Sequence, residues 1–315
     1  MSDLREVLQH SLGAGYRLSR ELGGGGMSKV FVADDPAVGR RVVVKVLSPD
    51  LAAGVNVDRF KREIQLAASL HHPRIVPVLS AGQSGDDVLY YTMPFIDGET
   101  LRALVDRERQ LPLERALAIA RDVADALHYA HGRNIVHRDI KPDNILIERE
   151  TGLPVVTDFG IARAIERAAD ESSVTSTGFT LGTPTYMSPE QAGAERDIDG
   201  RSDIYSLGCV LYEMLVGAPP FVGPNARSII ARHMTEPPPD VGVARPDLPT
   251  GARVLVTRML AKSRNARPAN AAALIDGIDN YTTLANHSPS RGRWIALSLL
   301  AIAAAIATLL IALRG

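Results

Sequence analysis

Residues 137–144 place an acid, a lysine and an asparagine on one short segment, and Asp158 follows within an Asp-Phe-Gly tripeptide. Transfer of a phosphoryl group requires such a set of side chains. An acid orients the attacking hydroxyl, a cation lies near the transferred phosphate, and two oxygen ligands hold magnesium. Asp139, Lys141, Asn144 and Asp158 supply the residue types for this chemistry.

A glycine-rich segment near the N-terminus lies between two short apolar runs, residues 16–22 and 30–33. Backbone N–H groups can approach a phosphate closely where side chains are absent, so such a segment suits a phosphate cover. Taken alone, the glycines would fit a flexible linker equally well, and the flanking runs favour a loop between two strands. The segment contains Leu22, Gly23, Gly24, Gly25, Gly26, Met27, Ser28 and Val30.

Lys45 interrupts the apolar strand predicted over residues 42–47. A buried cation is costly unless it is paired, and the helix predicted over residues 59–66 carries Glu63. The chain has 35 lysines and arginines, of which only five are lysines, yet positions 45 and 141 are both lysine. A compact ammonium suits a confined phosphate site better than a guanidinium does.

These segments resemble the protein kinases, in particular the bacterial Hanks-type (eukaryotic-like) serine/threonine kinases. The resemblance covers residues 16 to about 280 and includes three later motifs, at 182–190, 203–208 and 267–268. Three positions depart from the family pattern. Ser28 replaces its third glycine, and Val43 and Ser188 each replace an alanine.

The resemblance implies an α+β fold with two lobes. A small β-rich lobe with one main helix would cover residues 16–96, and a large, mainly helical lobe would cover residues 97–283. Residues 1–15 would form an N-terminal extension that contains one short helix and does not resemble a signal peptide.

The resemblance also implies the catalytic roles. Asp139 would orient the acceptor hydroxyl or take its proton, Lys141 would neutralise the γ-phosphoryl, and Asn144 and Asp158 would bind Mg²⁺, with Mn²⁺ as the alternative ion. Lys45, paired with Glu63, would hold the α- and β-phosphates of ATP. The glycine-rich loop would cover these phosphates. The remaining contacts to the nucleotide would come from Val43, Met93, Pro94 and Ile96.

An activation segment is implied between Asp158 and Glu190. Related kinases phosphorylate two threonines spaced as Thr175 and Thr177 are, and Arg138 would receive one of the phosphates. Ordinary polar loop residues are the alternative interpretation of these threonines. Thr183 would contact Asp139 and Lys141. Glu190 would pair with Arg267, and Asp203 would lie in the motif that opens a buried central helix.

The twenty residues 294–313 contain no charge and are long enough to span a bilayer. Arg291 and Arg293 precede them, so the positive-inside rule predicts a single-pass protein of the cell membrane with a cytoplasmic kinase domain and contact with lipid. Residues 284–293 would form a linker, and no external sensor domain is expected beyond the span. A buried helix of the large lobe is the alternative interpretation.

The net charge is −1 with no basic cluster, so we expect no nucleic-acid partner. The expected partners are ATP, protein substrates with serine or threonine acceptors, and a transient second copy during autophosphorylation. Cys209 lies in an apolar run, where a buried core residue is expected.

Two other functions fit the same lobes. A pseudokinase scaffold would lack Lys45, Asp139, Asn144 or Asp158, and all four are present. A small-molecule phosphotransferase usually lacks an activation segment that ends in Pro-Glu, and the chain has Pro-Glu at 189–190.

Overall fold

A computed structural model describes residues 4–13, 15–23, 28–47, 56–84, 88–161 and 184–281. In the smaller lobe, an antiparallel sheet has the strand order β1-β2-β3-β5-β4. The elements of this lobe are α1 (Leu4–Leu12), β1 (Arg17–Gly23), β2 (Ser28–Asp35), β3 (Arg40–Leu47), α2 (Val57–Ala68), β4 (Ser80–Ser84) and β5 (Val88–Pro94).

Strand β3 is covered on both faces, which explains its almost continuous run of valines. Successive side chains of a strand point to opposite faces. The even-numbered valines pack with Leu8 and Leu12 of α1. Val43 and Leu47 pack with residues of α2, so Lys45 faces the same side as α2.

Helix α1 packs on the outer face of the sheet. Leu8 is fully buried, and the Arg5 guanidinium donates to the Leu18 and Ser19 carbonyls at 3.2 and 2.7 Å. The folded small lobe therefore includes α1, which lies N-terminal to the domain boundary predicted at residue 16.

The larger lobe begins with a short antiparallel sheet in the order β6-β7-β8 and continues as packed helices. Its elements are β6 (Gly98–Thr100), α3 (Leu101–Glu108), α4 (Leu113–His131), β7 (Ile145–Glu148), β8 (Pro154–Val156), α5 (Pro189–Ala192), α6 (Gly200–Val216), α7 (Ala226–Thr235), α8 (Val241–Ala244), α9 (Thr250–Met259) and α10 (Ala271–Asp279). Short 3₁₀ turns lie at Pro142–Asn144, Pro184–Tyr186 and Arg264–Ala266.

Helix α6 is the buried centre of this lobe, with residues 202–215 all buried, as predicted for the segment that Asp203 opens. Asp199 caps its start, and Gly217 ends it with a φ of +86°. A side chain at Gly217 would meet the Arg109 carbonyl, so glycine is required there. Cys209 is buried within α6, which confirms the prediction of a core residue.

The two lobes confirm the predicted bilobal α+β fold. In the ranges described above, no helix is long and apolar enough to cross a membrane. The predicted linker 284–293 and span 294–313 lie outside those ranges.

Candidate active site

The β7–β8 hairpin brings the segment 137–144 beside Asp158. Asn144 immediately precedes β7, and Thr157 and Asp158 immediately follow β8. Because the strands are antiparallel, these two ends of the hairpin meet. The Thr157 N–H donates to the Asn144 carbonyl at 3.0 Å.

The Asp139 carboxylate is held by its neighbours on the same segment. Lys141 Nζ lies 2.7 Å from Asp139 Oδ2, and Asn144 Nδ2 lies 2.9 Å from the same oxygen. Asn144 Nδ2 also donates to the Asp139 carbonyl at 2.8 Å. With Oδ2 engaged twice, the carboxylate is oriented, and no contact to Oδ1 is found among the described residues, so this oxygen can accept an incoming hydroxyl.

His137 holds the segment 137–144 against the residues that follow β8. Its Nε2 lies 2.8 Å from the Thr157 carbonyl, and its Nδ1 lies 3.1 Å from the Asp139 N–H. One tautomer, with the proton on Nε2, satisfies both contacts. The imidazole also meets the Phe159 ring edge-on, with 4.6 Å between ring centroids.

Asp203 of α6 ties this segment to the core of the lobe. Its carboxylate is completely buried and accepts the backbone N–H groups of His137 and Arg138, each at 2.8 Å, and His131 Nε2 at 2.8 Å. Burial alone would raise the pKa of Asp203, but the electrostatic contacts with His131 and His137 and the hydrogen bond from the Arg138 N–H outweigh burial and lower that pKa.

Lys45 meets Asp158 across the lobes. Its Nζ lies 2.5 Å from Asp158 Oδ2. Burial acts to raise the pKa of Asp158, but the Lys45 charge and the hydrogen bonds hold it below its ordinary value, so the carboxylate is ionised at neutral pH. Asp158 has a φ of +67°, in the left-handed region that non-glycine residues rarely adopt.

Tyr91 is a residue of this site that the sequence motifs do not indicate. It lies directly opposite Lys45 in the β3–β5 register, and its hydroxyl is 2.6 Å from Asp158 Oδ1. Burial raises the pKa of Tyr91 well above its ordinary value, so the hydroxyl keeps its proton and donates. A tyrosine in an apolar strand was the available signal, since a buried tyrosine hydroxyl needs a partner.

Glu63 lies on α2, between Phe60 and Ile64, which pack beneath the sheet. Its side chain is half-buried on the helix that β3 faces through Lys45. Lys45 contacts Asp158, and the predicted ion pair between Glu63 and Lys45 stays a prediction.

Apolar residues predicted to contact the nucleotide form one cluster that joins the two lobes. Val43 pairs with Met93 in the β3–β5 register, and both pack with Val155 of β8. Val30 and Ile96 pack against the same cluster, Pro94 is half-buried, and Leu22 is exposed. Gly23 ends β1 and Ser28 begins β2, whereas glycines 24–26 and Met27 lie outside the described residues.

Glu190 and Arg267 meet as the sequence predicted. Both side chains are buried, and two parallel hydrogen bonds of 2.7 and 2.8 Å join them. Ser202 of α6 donates to the same carboxylate. Burial acts to raise the pKa of Glu190, but the bonds from Arg267 and Ser202 lower it.

Ser188, one of the departures from the family pattern, caps α5. Its Oγ accepts the Gln191 N–H at 3.3 Å, and Gln191 Oε1 accepts the Ser188 N–H at 3.1 Å. Gln191 Nε2 also donates to the Arg138 carbonyl at 2.7 Å. The capping box thus connects α5 to the segment 137–144, called the catalytic segment below. Thr175, Thr177 and Thr183 lie outside the described residues, and the predicted role of Arg138 stays a prediction.

Comparisons with known proteins agree with this geometry. The sequence model of the protein family described as the protein kinase domain matches residues 16–276 of this chain. The serine/threonine-protein kinase PknB of Mycobacterium leprae is 43% identical over 263 residues, which are 82% of this chain and 42% of PknB. The chain thus spans less than half the length of this relative.

Solved structures give the same result. The kinase domain of Mycobacterium tuberculosis PknI aligns with a TM-score of 0.67 and 32% identity, covering 85% of this chain and 96% of that domain. Rad53 residues 1–466, in complex with AMP-PNP, align with a TM-score of 0.70 and 25% identity, covering 85% of this chain and 65% of Rad53. The chain therefore belongs to the protein kinase family, among the serine/threonine kinases of the bacterial Hanks type.

Proposed function

We propose that the chain is an ATP-dependent, non-specific serine/threonine protein kinase, which transfers the γ-phosphate of ATP to hydroxyl groups of proteins. The arrangement around Asp139 carries this proposal. Oδ2 accepts hydrogen bonds from Lys141 and Asn144, and this orients the carboxylate so that Oδ1 can orient the acceptor hydroxyl and take its proton. Lys141 places a positive charge where the γ-phosphoryl would pass.

The donor set fits a divalent ion and ATP. The Asn144 amide nitrogen donates to Asp139, no contact to its side-chain oxygen is found among the described residues, and Asp158 is ionised, so both side chains can offer oxygen ligands. Magnesium prefers one or two carboxylates together with phosphate oxygens, and manganese accepts similar ligands. When bound, the ion would neutralise negative charge on the phosphates. Rad53 binds the ATP analogue AMP-PNP on a similar fold, which supports ATP as the nucleotide.

The test is transfer of labelled phosphate from ATP to a general protein substrate by the purified chain. Replacing Asp139 with asparagine should lower the rate about 10³-fold or more, since a positioned acid–base group and its charge are lost. Asp143→Asn is the matched control, because Asp143 lies on the same segment with a side chain that is 54% exposed. An Asp139→Asn rate within tenfold of wild type would contradict the assignment.

The same assay separates the two other functions. If the chain is a pseudokinase, the wild-type protein would bind ATP and transfer no phosphate. A small-molecule phosphotransferase would label small hydroxyl compounds and leave the protein substrate unlabelled.

We also propose that residues 294–313 anchor the chain in the cell membrane, with the kinase domain on the cytoplasmic side. The uncharged sequence behind Arg291 and Arg293 supports this. The full chain should stay with membranes during carbonate extraction, whereas residues 1–285 should be released. Release of the full chain would favour the alternative of a packed helix.

Autophosphorylation at Thr175 and Thr177 is the regulation that we propose. Arg138, which follows His137 in sequence, is a suitable partner for a phosphate. Mass spectrometry of the active chain should find phosphate at these threonines, and Thr175→Ala with Thr177→Ala should lower activity. Ser172→Ala with Ser173→Ala is the matched control. Incorporation that rises with the square of enzyme concentration would indicate a transient homodimer.

A further inference from the structure

Tyr91 connects the sheet of the small lobe to the acid that follows β8. Its ring is 1% exposed, and its hydroxyl lies 2.6 Å from Asp158 Oδ1. Strand β5 is hydrogen-bonded to β3 on one side and to β4 on the other. The hydroxyl therefore projects from a backbone that is held along both edges.

We propose that Tyr91 is a positioning residue for Asp158, which fixes the orientation of the carboxylate that binds the metal–nucleotide complex. This inference rests on the proposed function, because it assigns Asp158 as a metal ligand. Tyr91 itself touches neither substrate nor reacting atoms in this assignment.

Asp158 needs a fixed donor because its own backbone adopts a rarely populated conformation, with a φ of +67°. Lys45 binds the other oxygen, Oδ2, through a flexible four-carbon chain. Its ammonium is also the group expected to contact the phosphates. Tyr91 has two side-chain torsions and a rigid ring, so it can hold Oδ1 while Lys45 engages the nucleotide.

The charge of the donor matters as well. A tyrosine hydroxyl is neutral, so it orients the carboxylate without cancelling the negative charge that attracts a dication. A carboxylate oxygen has two lone-pair sites, so Oδ1 can accept this hydrogen bond and still bind a metal. Loss of a hydrogen-bond donor that orients a metal ligand typically lowers metal affinity about 10–100-fold.

No second donor of similar quality is found on Oδ1 among the described residues. Thr157 Oγ1 lies 3.3 Å from Oδ1 and 3.2 Å from Met93 Sδ. Its contact with Oδ1 is longer than that of Tyr91, and the hydroxyl has another acceptor. Loss of the Tyr91 hydroxyl would therefore leave Oδ1 poorly held.

The experiment is calorimetric titration of the full chain with ADP, first in EDTA and then with Mg²⁺. Tyr91→Phe removes one hydroxyl and keeps the ring. The Mg²⁺-dependent gain in ADP affinity should fall about tenfold in this variant, and the affinity in EDTA should stay within twofold of wild type. The Mg²⁺ concentration that gives half-maximal phosphate transfer should rise by a similar factor, with kcat at saturating Mg²⁺ less affected.

Tyr90→Phe is the matched control. Tyr90 precedes Tyr91 in β5 and packs on the opposite face, with its ring over Gly82. It should leave the Mg²⁺-dependent gain unchanged. The combination of Tyr91→Phe with Asp158→Asn should bind no more weakly than Asp158→Asn alone, because the effect of Tyr91 passes through Asp158.

Two results would overturn the inference. One is an unchanged Mg²⁺-dependent gain in Tyr91→Phe, and the other is an equal loss of affinity with and without Mg²⁺, which indicates a general disturbance of the pocket. The proposed function fails separately: a wild-type chain that transfers no phosphate to protein, yet loses Mg²⁺ coupling in Tyr91→Phe, would refute the kinase assignment and keep the role of Tyr91.

Discussion

Arg267 Nη1 and Nη2 face the two carboxylate oxygens of Glu190 at 2.7 and 2.8 Å, although 77 residues separate the pair in sequence. Arg267 also donates to the carbonyls of Ala261, Lys262 and Arg201. Every side of this guanidinium is therefore occupied inside the lobe. The pair joins α5, the start of α6 and the segment before α10.

Replacing Arg267 with methionine should lower the free energy of unfolding by about 3–5 kcal/mol, because Glu190 would keep a buried charge without its partner. Urea denaturation of the purified chain measures this change. The control is Arg253→Met, whose ion pair with Asp240 is exposed, with 36% and 52% of the side chains accessible. Its cost should stay within about 1 kcal/mol. A similar small cost for both variants would show that the buried pair contributes little.

His233 should make stability depend on pH. Its imidazole is buried, with Nε2 at 3.0 Å from the Thr185 carbonyl and Nδ1 at 2.9 Å from the Tyr205 hydroxyl. Burial, with a smaller effect from Lys262, lowers the pKa of His233 from 6.5 to about 4. The unfolded chain therefore binds a proton that the folded chain rejects as pH falls from 6.5 towards 4.

The contribution of His233 is fully present above pH 6.5 and is lost as pH falls to about 4. The slope of unfolding free energy attributable to this residue should reach up to about 1.4 kcal/mol per pH unit. In His233→Gln this part of the slope should vanish, whereas His128→Gln, at an exposed site on α4, should keep it. Lys262, with a pKa lowered to about 8, titrates above this window. Parallel pH profiles for wild type and His233→Gln would contradict the prediction.

Helix α1 should contribute substantially to the stability of the small lobe. Leu8 is 0% exposed beneath the sheet, so Leu8→Ala should cost about 2–5 kcal/mol through lost burial and an added cavity. Val38, at the β2–β3 turn, is 64% exposed, and Val38→Ala should change stability by less than about 0.5 kcal/mol. Differential scanning fluorimetry of both variants, with and without ADP, would check this. Equal melting temperatures for Leu8→Ala and Val38→Ala would mean that α1 is only loosely attached to the sheet.

The sequence predicted much of the site because its chemistry is concentrated in short motifs. Alternation along β3 requires Lys45 to share a face with Val43 and Leu47, and the structure has this arrangement. The closeness of residues 137–144 and Asp158 in sequence indicated one site, and the short β7–β8 hairpin is the structure that brings Asn144 to Asp158. Local patterns were sufficient in these cases.

Contacts between distant segments were harder to predict. Tyr91 lies 67 residues before Asp158, and an aromatic residue in a buried strand reads as ordinary core, so nothing in the spacing linked them. The apolar spacing of Leu4, Leu8 and Leu12 was visible, but only the folded sheet shows which surface they cover. Ser188 was noted as a departure from the family pattern, and its role became clear only with Gln191 beside it.

Asp203 has a consequence for how the catalytic segment opens. Its carboxylate accepts hydrogen bonds from the backbone N–H groups of His137 and Arg138, and it lies on the helix whose residues 202–215 are all buried. Exposing those two amides to solvent requires breaking contacts to α6, so they should exchange with deuterium almost as slowly as the amides of α6 itself. The segment has no regular structure at these residues, yet its local unfolding free energy should approach that of the whole large lobe.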